Sequence, residues 1–339
     1  MKKIQYLKKQ EALEAVKSQG RELQFCSSKL KSDRDVVLEA VRNCSYAIQF
    51  ASPKFYRDFE IMRIAGMDDS FNLQHASKKL LCDKSFMLPI IRLHYQAFAF
   101  ADTVLQSDPE VVRAAVQSNG IALQFALPEF QEDREIVMEA IKNSSSALMY
   151  ASEELQDDKE LVLFAIRKDG GSIHYASERL RGDKEVVIAA LKNNGWAIDC
   201  VKEELKREVA PVAFLTNGSA LEYLPDDLKD NEDVVRQAIE RSSNAIQFAS
   251  ERLRDDKEII LYSLYNTGFC LQYASDRLRN DREVVLEAVR SSGCAVRYAS
   301  EELKEDLEIA IEAVKRKSRA ILYIGKNVRT SSKIRDLFL

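Results

Sequence analysis

The chain has 339 residues, 46% of them hydrophobic and 31% charged, with only 11 glycines and 6 prolines; this excludes a disordered chain and favours an ordered, helix-rich one. Its 54 acidic and 50 basic residues are interspersed and leave a formal charge of −4, which removes the electrostatic case for binding a phosphate backbone or an anionic bilayer. The length allows either two ordinary domains or one elongated array without a single central core.

The segment Met1-Lys2-Lys3-Ile4-Gln5-Tyr6 has basic residues but no apolar run after them, and no later stretch approaches the roughly 18 apolar residues of a membrane span, so neither a signal peptide nor a membrane segment is expected. Cys26, Cys44, Cys82, Cys200, Cys270 and Cys294 are far apart and form no C-x-x-C pair, which argues against a zinc site or a disulfide framework and fits a reducing cytoplasm.

An internal period organises everything that follows. Phe25, Phe50, Phe100, Phe125, Tyr150, Tyr175, Phe248, Tyr273, Tyr298 and Tyr323 share one phase of 25 residues, broken once by a 23-residue step ending at Tyr223; His75 and Cys200 fill the remaining two of thirteen slots. With this aromatic as repeat position 25, residues 1–25 form an N-terminal cap repeat, residues 201–223 an irregular repeat lacking two residues, and residues 324–339 a C-terminal cap. Within a unit, position 8 is Asp ten times (Asp33, Asp58, Asp83, Asp108, Asp133, Asp158, Asp183, Asp256, Asp281 and Asp306), followed by Lys/Arg, Glu and an apolar run. That is an N-cap, and Pro109 directly after Asp108 is a proline at the first helical position. Helix A is expected over positions 9 to 19, with positions 11, 12, 15 and 16 buried. Gly or Ser at position 20, replaced only by Tyr95, breaks it. Helix B restarts near position 21, with positions 22, 23, 25, 1 and 5 on its apolar side, and one further turn precedes the next Asp.

A hairpin of one long and one short helix cannot bury its stripe alone, so the units must stack. The expected fold is all-α: a right-handed α-solenoid of about thirteen 25-residue helical-hairpin repeats forming one elongated body over residues 1–339. Irregular geometry is expected at residues 202–214, where the Asp cap is missing and Pro211 stands inside helix A.

The motif D-[KR]-E-V-V-L-x-A-V-[KR]-x-[SN]-G-x-A-L-Q-[FY]-A-S-E-x-L, approximated at 133–155, 183–205 and 281–303, resembles the repeat family catalogued as domain of unknown function 4116, from about Glu11 to Ile324. The resemblance implies no catalytic residues. It does imply a kinship with helical repeats of intracellular bacteria that deliver effectors into host cells, and hence a bacterial effector acting inside a host as one reading of the chain.

No phosphate-binding loop, dinucleotide fingerprint, nucleophile elbow or H-E-x-x-H occurs, so no enzyme, metal or cofactor is expected. The three histidines read as substitutions within the repeat: His75 in the aromatic slot, His94 in the turn and His174 in a surface Gln slot. Position 24 is Gln at Gln24, Gln49, Gln74, Gln124, Gln247 and Gln272, either a ladder between neighbouring units or a contact row. Position 21 is unconstrained yet holds Tyr46, Phe71, Ile121, Trp196 and Phe269, large apolar groups on the outer side of helix B. If the array curves toward its shorter helices, these side chains and the Gln row line a concave groove. The expected function is a non-catalytic, monomeric scaffold that binds a protein or peptide through Tyr46, Phe71, Gln74, Ile121, Gln124, Trp196, Gln247, Phe269 and Gln272. Its rivals are a single-strand nucleic-acid reader stacking bases on aromatics, disfavoured by the balanced charge, and, last, a cryptic enzyme.

Overall fold

The structure, a computed structural model, describes residues 8–338, so the first seven residues of the expected N-terminal cap lie outside the described residues. Contacts group it into two compact units, Met1–Ala165 and Ile166–Leu339. In both, helices follow one another in tandem, and no strand occurs among the described residues. The architecture is an all-α repeat solenoid.

One repeat of the second unit shows how the sequence builds it. Asp281 accepts the amides of Glu283 (2.9 Å) and Val284 (3.2 Å), closing the first turn of the helix Arg282–Ser291. The helix buries Val284, Val285, Ala288 and Val289, the expected positions 11, 12, 15 and 16. Helix B follows at once as Gly293–Tyr298, and a four-residue turn, Glu301–Lys304, leads to the next capping Asp, with Ser300 accepting the Leu303 amide at 3.2 Å. The first unit repeats this order with Arg134–Asn143, Ser145–Tyr150 and Glu153–Gln156.

Helix B departs from the 3.6-residue wheel: it is a six-residue 3₁₀-helix that ends at the aromatic instead of running on to the Ser. With three residues per turn, side chains eclipse at intervals of three and form three rows. Positions 20 and 23 face the core, position 22 is buried with them in every repeat after the first, position 25 lies at the edge of the core, and positions 21 and 24 lie on the outer side. The position-25 rings, at the end of their row, are therefore half-buried in every repeat, not core residues.

Position 20 has a packing role beyond breaking helix A. A Cβ placed on Gly268 would stand 1.9 Å from the Ala288 carbonyl oxygen, and one on Gly120 2.1 Å from that of Ala140. At these two contacts the 3₁₀-helix thus rests directly on the backbone of the next helix A, and a glycine at position 20 permits that approach. Further bonds join consecutive repeats. The Ser300 amide donates to the Arg279 carbonyl at 2.9 Å, the Ser275 hydroxyl donates to Asp255, and Arg277 Nε reaches the same carboxylate at 3.0 Å. On the exposed side of helix A, Arg282 pairs with Asp306 (3.1 Å) and Glu308, and Arg34 with Asp58 (2.9 Å) and Glu60 (2.6 Å), a ladder of charges between neighbours.

In the irregular repeat the missing residues remove the break between closing turn and helix A. The two fuse into one twelve-residue helix, Glu203–Phe214, with Pro211 on its exposed side. The array regains its pattern at the next 3₁₀-helix, Gly218–Tyr223, where Asn217 accepts the Ser219 amide at 3.0 Å.

Candidate interaction surface

The outer rows of the 3₁₀-helices carry the residues singled out by their spacing. Tyr46, Phe71, Trp196 and Phe269 are exposed, Phe71 at 64% and Trp196 at 45%, whereas Ile121 is half-buried. Each exposed ring leans edge-on against an aromatic at position 25. Phe71 meets Phe100 (6.2 Å between centroids), Trp196 meets Tyr223 (5.7 Å) and Phe269 meets Tyr298 (6.4 Å), all in the following repeat, while Tyr46 meets Phe50 of its own (6.3 Å). The two rows thus form separate edge-to-face aromatic pairs, two in each unit.

Of the Gln row, Gln74 and Gln124 are exposed and Gln247 and Gln272 half-buried. Their bonding differs from a ladder between repeats: Gln49 donates to the Tyr46 carbonyl (3.0 Å), Gln124 to that of Ile121 (3.2 Å) and Gln247 to that of Asn244 (3.1 Å). The 3₁₀ turn explains this, because position 24 eclipses position 21 and finds its carbonyl before any neighbour's.

The histidines are engaged in packing. His75 stacks on Tyr56 at 5.3 Å, and burial holds its imidazole below the usual range. His94 Nε2 lies 2.9 Å from the Met67 carbonyl oxygen. His174 Nδ1 lies 3.2 Å from Cys200 Sγ, but burial, aided by Asp199, pushes the Cys200 thiol up, the opposite of an activated nucleophile. Among the described residues no group of three or more His, Cys, Asp or Glu is placed to hold a metal ion, and no helix is long and apolar enough to cross a membrane. The capping carboxylates are structural: the Lys84 hydrogen bond, together with the amides of Glu110 and Val111, holds Asp108 below the ordinary aspartate range.

Spacing alone did not reveal how charge is distributed beside these pairs. The short elements of the earliest repeats present Lys29, Lys54, Lys78 and Lys79 to solvent, those at 128–156 present Glu129, Glu153 and Glu154, and those around Trp196 present Glu178, Arg179, Glu203, Glu204, Asp226 and Asp227. Reading positions 3 and 4 repeat by repeat would have shown it, since the near-zero total conceals local sign.

Among known proteins, the family model described as "Domain of unknown function (DUF4116)" matches residues 9–56, 108–156, 158–206, 213–254, 231–279, 256–304 and 281–329. No curated protein matches the chain. Matches over most of its length, in phase with the capping aspartates and the 3₁₀ rows, mean that the chain belongs to this family of repeats of unknown function.

Proposed function

We propose that the chain is a non-catalytic scaffold that binds a polypeptide along the outer rows of its 3₁₀-helices. The observation that carries this reading is the exposure of Tyr46, Phe71, Trp196 and Phe269 on elements whose inner rows are fully committed to the core. A large apolar ring held rigidly against a neighbouring ring loses little entropy on binding, and such aromatics are enriched where interface energy concentrates. The surrounding polar groups, Gln carbonyls and carboxylates among them, suit the rim of a peptide groove. Six free thiols support a reducing, cytoplasmic setting, and we extend the proposal to a monomer acting there.

A random-peptide display selection tests the reading. The chain is expected to enrich peptides with apolar residues at regular spacing, and Trp196→Ala with Phe269→Ala is expected to release them while circular dichroism shows the helices intact. Enriched peptides that bind this double variant as tightly as the parent would remove the 3₁₀ rows as the binding surface.

A further inference from the structure

Where a repeat determines most positions, a run of consecutive departures marks a place under a different demand, and one such run surrounds Trp196. At position 24, which is Gln in six repeats and bonds back to its own 3₁₀-helix at Gln49, Gln124 and Gln247, two consecutive slots carry the carboxylates Asp199 and Glu222. A carboxylate cannot donate to the position-21 carbonyl, so both lose the role that Gln49, Gln124 and Gln247 perform. One position-25 aromatic is lost as well, at Cys200. The pair that reads Phe71 with Phe100 and Phe269 with Tyr298 elsewhere is here Gly171 with Cys200. The nearest atoms to a Cβ built on Gly171 are the side chains of Asp169 (3.2 Å) and Asn194 (3.7 Å), not a ring. Trp196 therefore has no aromatic at the end of its own 3₁₀-helix, and its indole meets Tyr223 of the next repeat edge-to-face, at an interplanar angle of 76°.

Charge then selects what fits against that step. Asp199 follows Trp196 by one 3₁₀ turn and is eclipsed with it. Glu222 directly precedes Tyr223 in the chain, and burial, then the charges of Glu222 and Asp199, push the Tyr223 phenol up. Three of the five neighbouring acids are paired within the chain: Glu178 with Lys202 (3.3 Å), Glu203 with Lys206 (2.5 Å) and Asp227 with Arg207. Among the described residues Asp199 and Glu222 have no such ion pair. An exposed indole beside two uncompensated carboxylates attracts a cation through the ring face and through charge together.

We infer that the step formed by Trp196, Tyr223, Asp199 and Glu222 is the docking point for an arginine- or lysine-bearing segment of the polypeptide partner. This rests on the protein-binding reading above and specifies its chemistry at one place. The surface remains apolar at its centre, and the positive side chain completes the local charge that the chain itself leaves unbalanced.

Trp196 is the sole tryptophan, so its fluorescence reports this site directly in the intact chain. Three dodecapeptides of one apolar frame, carrying Arg, Gln or Glu at every second residue, are titrated against the parent protein. They are also titrated against Asp199→Asn with Glu222→Gln, and against Glu153→Gln with Glu251→Gln, which removes equal charge elsewhere. The Arg peptide is expected to change the emission saturably, to bind about tenfold more weakly to the Asp199/Glu222 variant, and to be unaffected by the Glu153/Glu251 variant. Equal affinity for the Arg and Gln peptides, or no loss in the Asp199/Glu222 variant, overturns the assignment of a basic segment and leaves the broader polypeptide-binding reading standing. An unchanged Trp196 emission with all three peptides overturns the docking point itself, and the display selection then decides whether the broader reading falls with it.

Discussion

The repeat at 274–298 and the irregular one at 201–223 solve the same packing problem with different helices. The regular repeat separates closing turn from helix A with Asp281, whose carboxylate caps the latter. The irregular repeat has no such cap and runs Glu203–Phe214 as one helix. Yet both receive the preceding 3₁₀-helix on a small residue: Gly268 faces the Ala288 carbonyl oxygen, and Gly195 faces that of Ala213 at 2.5 Å from its virtual Cβ. The difference teaches that the array can give up a local cap but not the close approach of 3₁₀-helix to helix A.

The largest test of that comparison is at the glycines. Gly268→Val and Gly195→Val are each expected to cost about 3 kcal/mol, because the obstacle is backbone and cannot move aside as a side chain would. Urea unfolding of the two variants measures it; a tolerated valine at Gly195 alone would show that the irregular repeat is loosely stacked and end the parallel. Ala288→Leu should overpack the regular interface by about 2 kcal/mol in the same assay, while Glu287→Ala on the exposed neighbouring position changes little. Equal effects would reverse the assigned faces of helix A.

Capping should separate the two repeats. Asp281→Ala is expected to lose about 1 kcal/mol, since it removes the acceptor for two amides. Glu208→Ala, at the equivalent place inside the fused helix, should lose less than about 0.5 kcal/mol by thermal unfolding, because it contributes only an exposed pair with Lys184. A loss at Glu208 as large as at Asp281 would mean that the fused helix still depends on that position.

The capping aspartates also set the acid limb of stability. Burial pushes the Asp281 carboxyl up, but the Lys257 hydrogen bond and the Val284 and Glu283 amides outweigh it and leave it below its ordinary value; Asp108 is lowered by Lys84 first. A carboxyl depressed in the folded state contributes stability that is fully present above the unfolded value of about 3.9 and is lost as pH falls through the folded one. Helicity should therefore decline below about pH 4, and Asp108→Asn should be less stable at neutral pH with a shallower acid limb; an unchanged limb would assign the acid sensitivity to other groups. The smallest effect is expected for Trp196→Ala, which should lower stability by less than about 1 kcal/mol in urea because the indole is half-exposed and held chiefly by the edge of Tyr223. A larger loss would make the ring a structural element and weaken its assignment to binding.

Much of this was legible in the sequence because it is local and repeated. The cap at Asp281, the stripe of Val284, Val285, Ala288 and Val289, the irregularity around Pro211 and the outer phase of Trp196 each depend on residues within a few positions of one another, and recurrence multiplied the signal. The half-burial of the position-25 rings and the inward turn of the Gln amides were not legible, because helical spacing of apolar residues over six positions fits three residues per turn as well as 3.6. What seated Gly268 on Ala288 and what joined Ser275 and Arg277 to Asp255 are contacts between groups about one repeat apart in the chain. The sequence by itself thus determined the units, their caps and their buried helix A face. Only the tertiary structure decided how closely they approach and which rings remain outside, because stacking brings together backbone and side chains that no local preference relates.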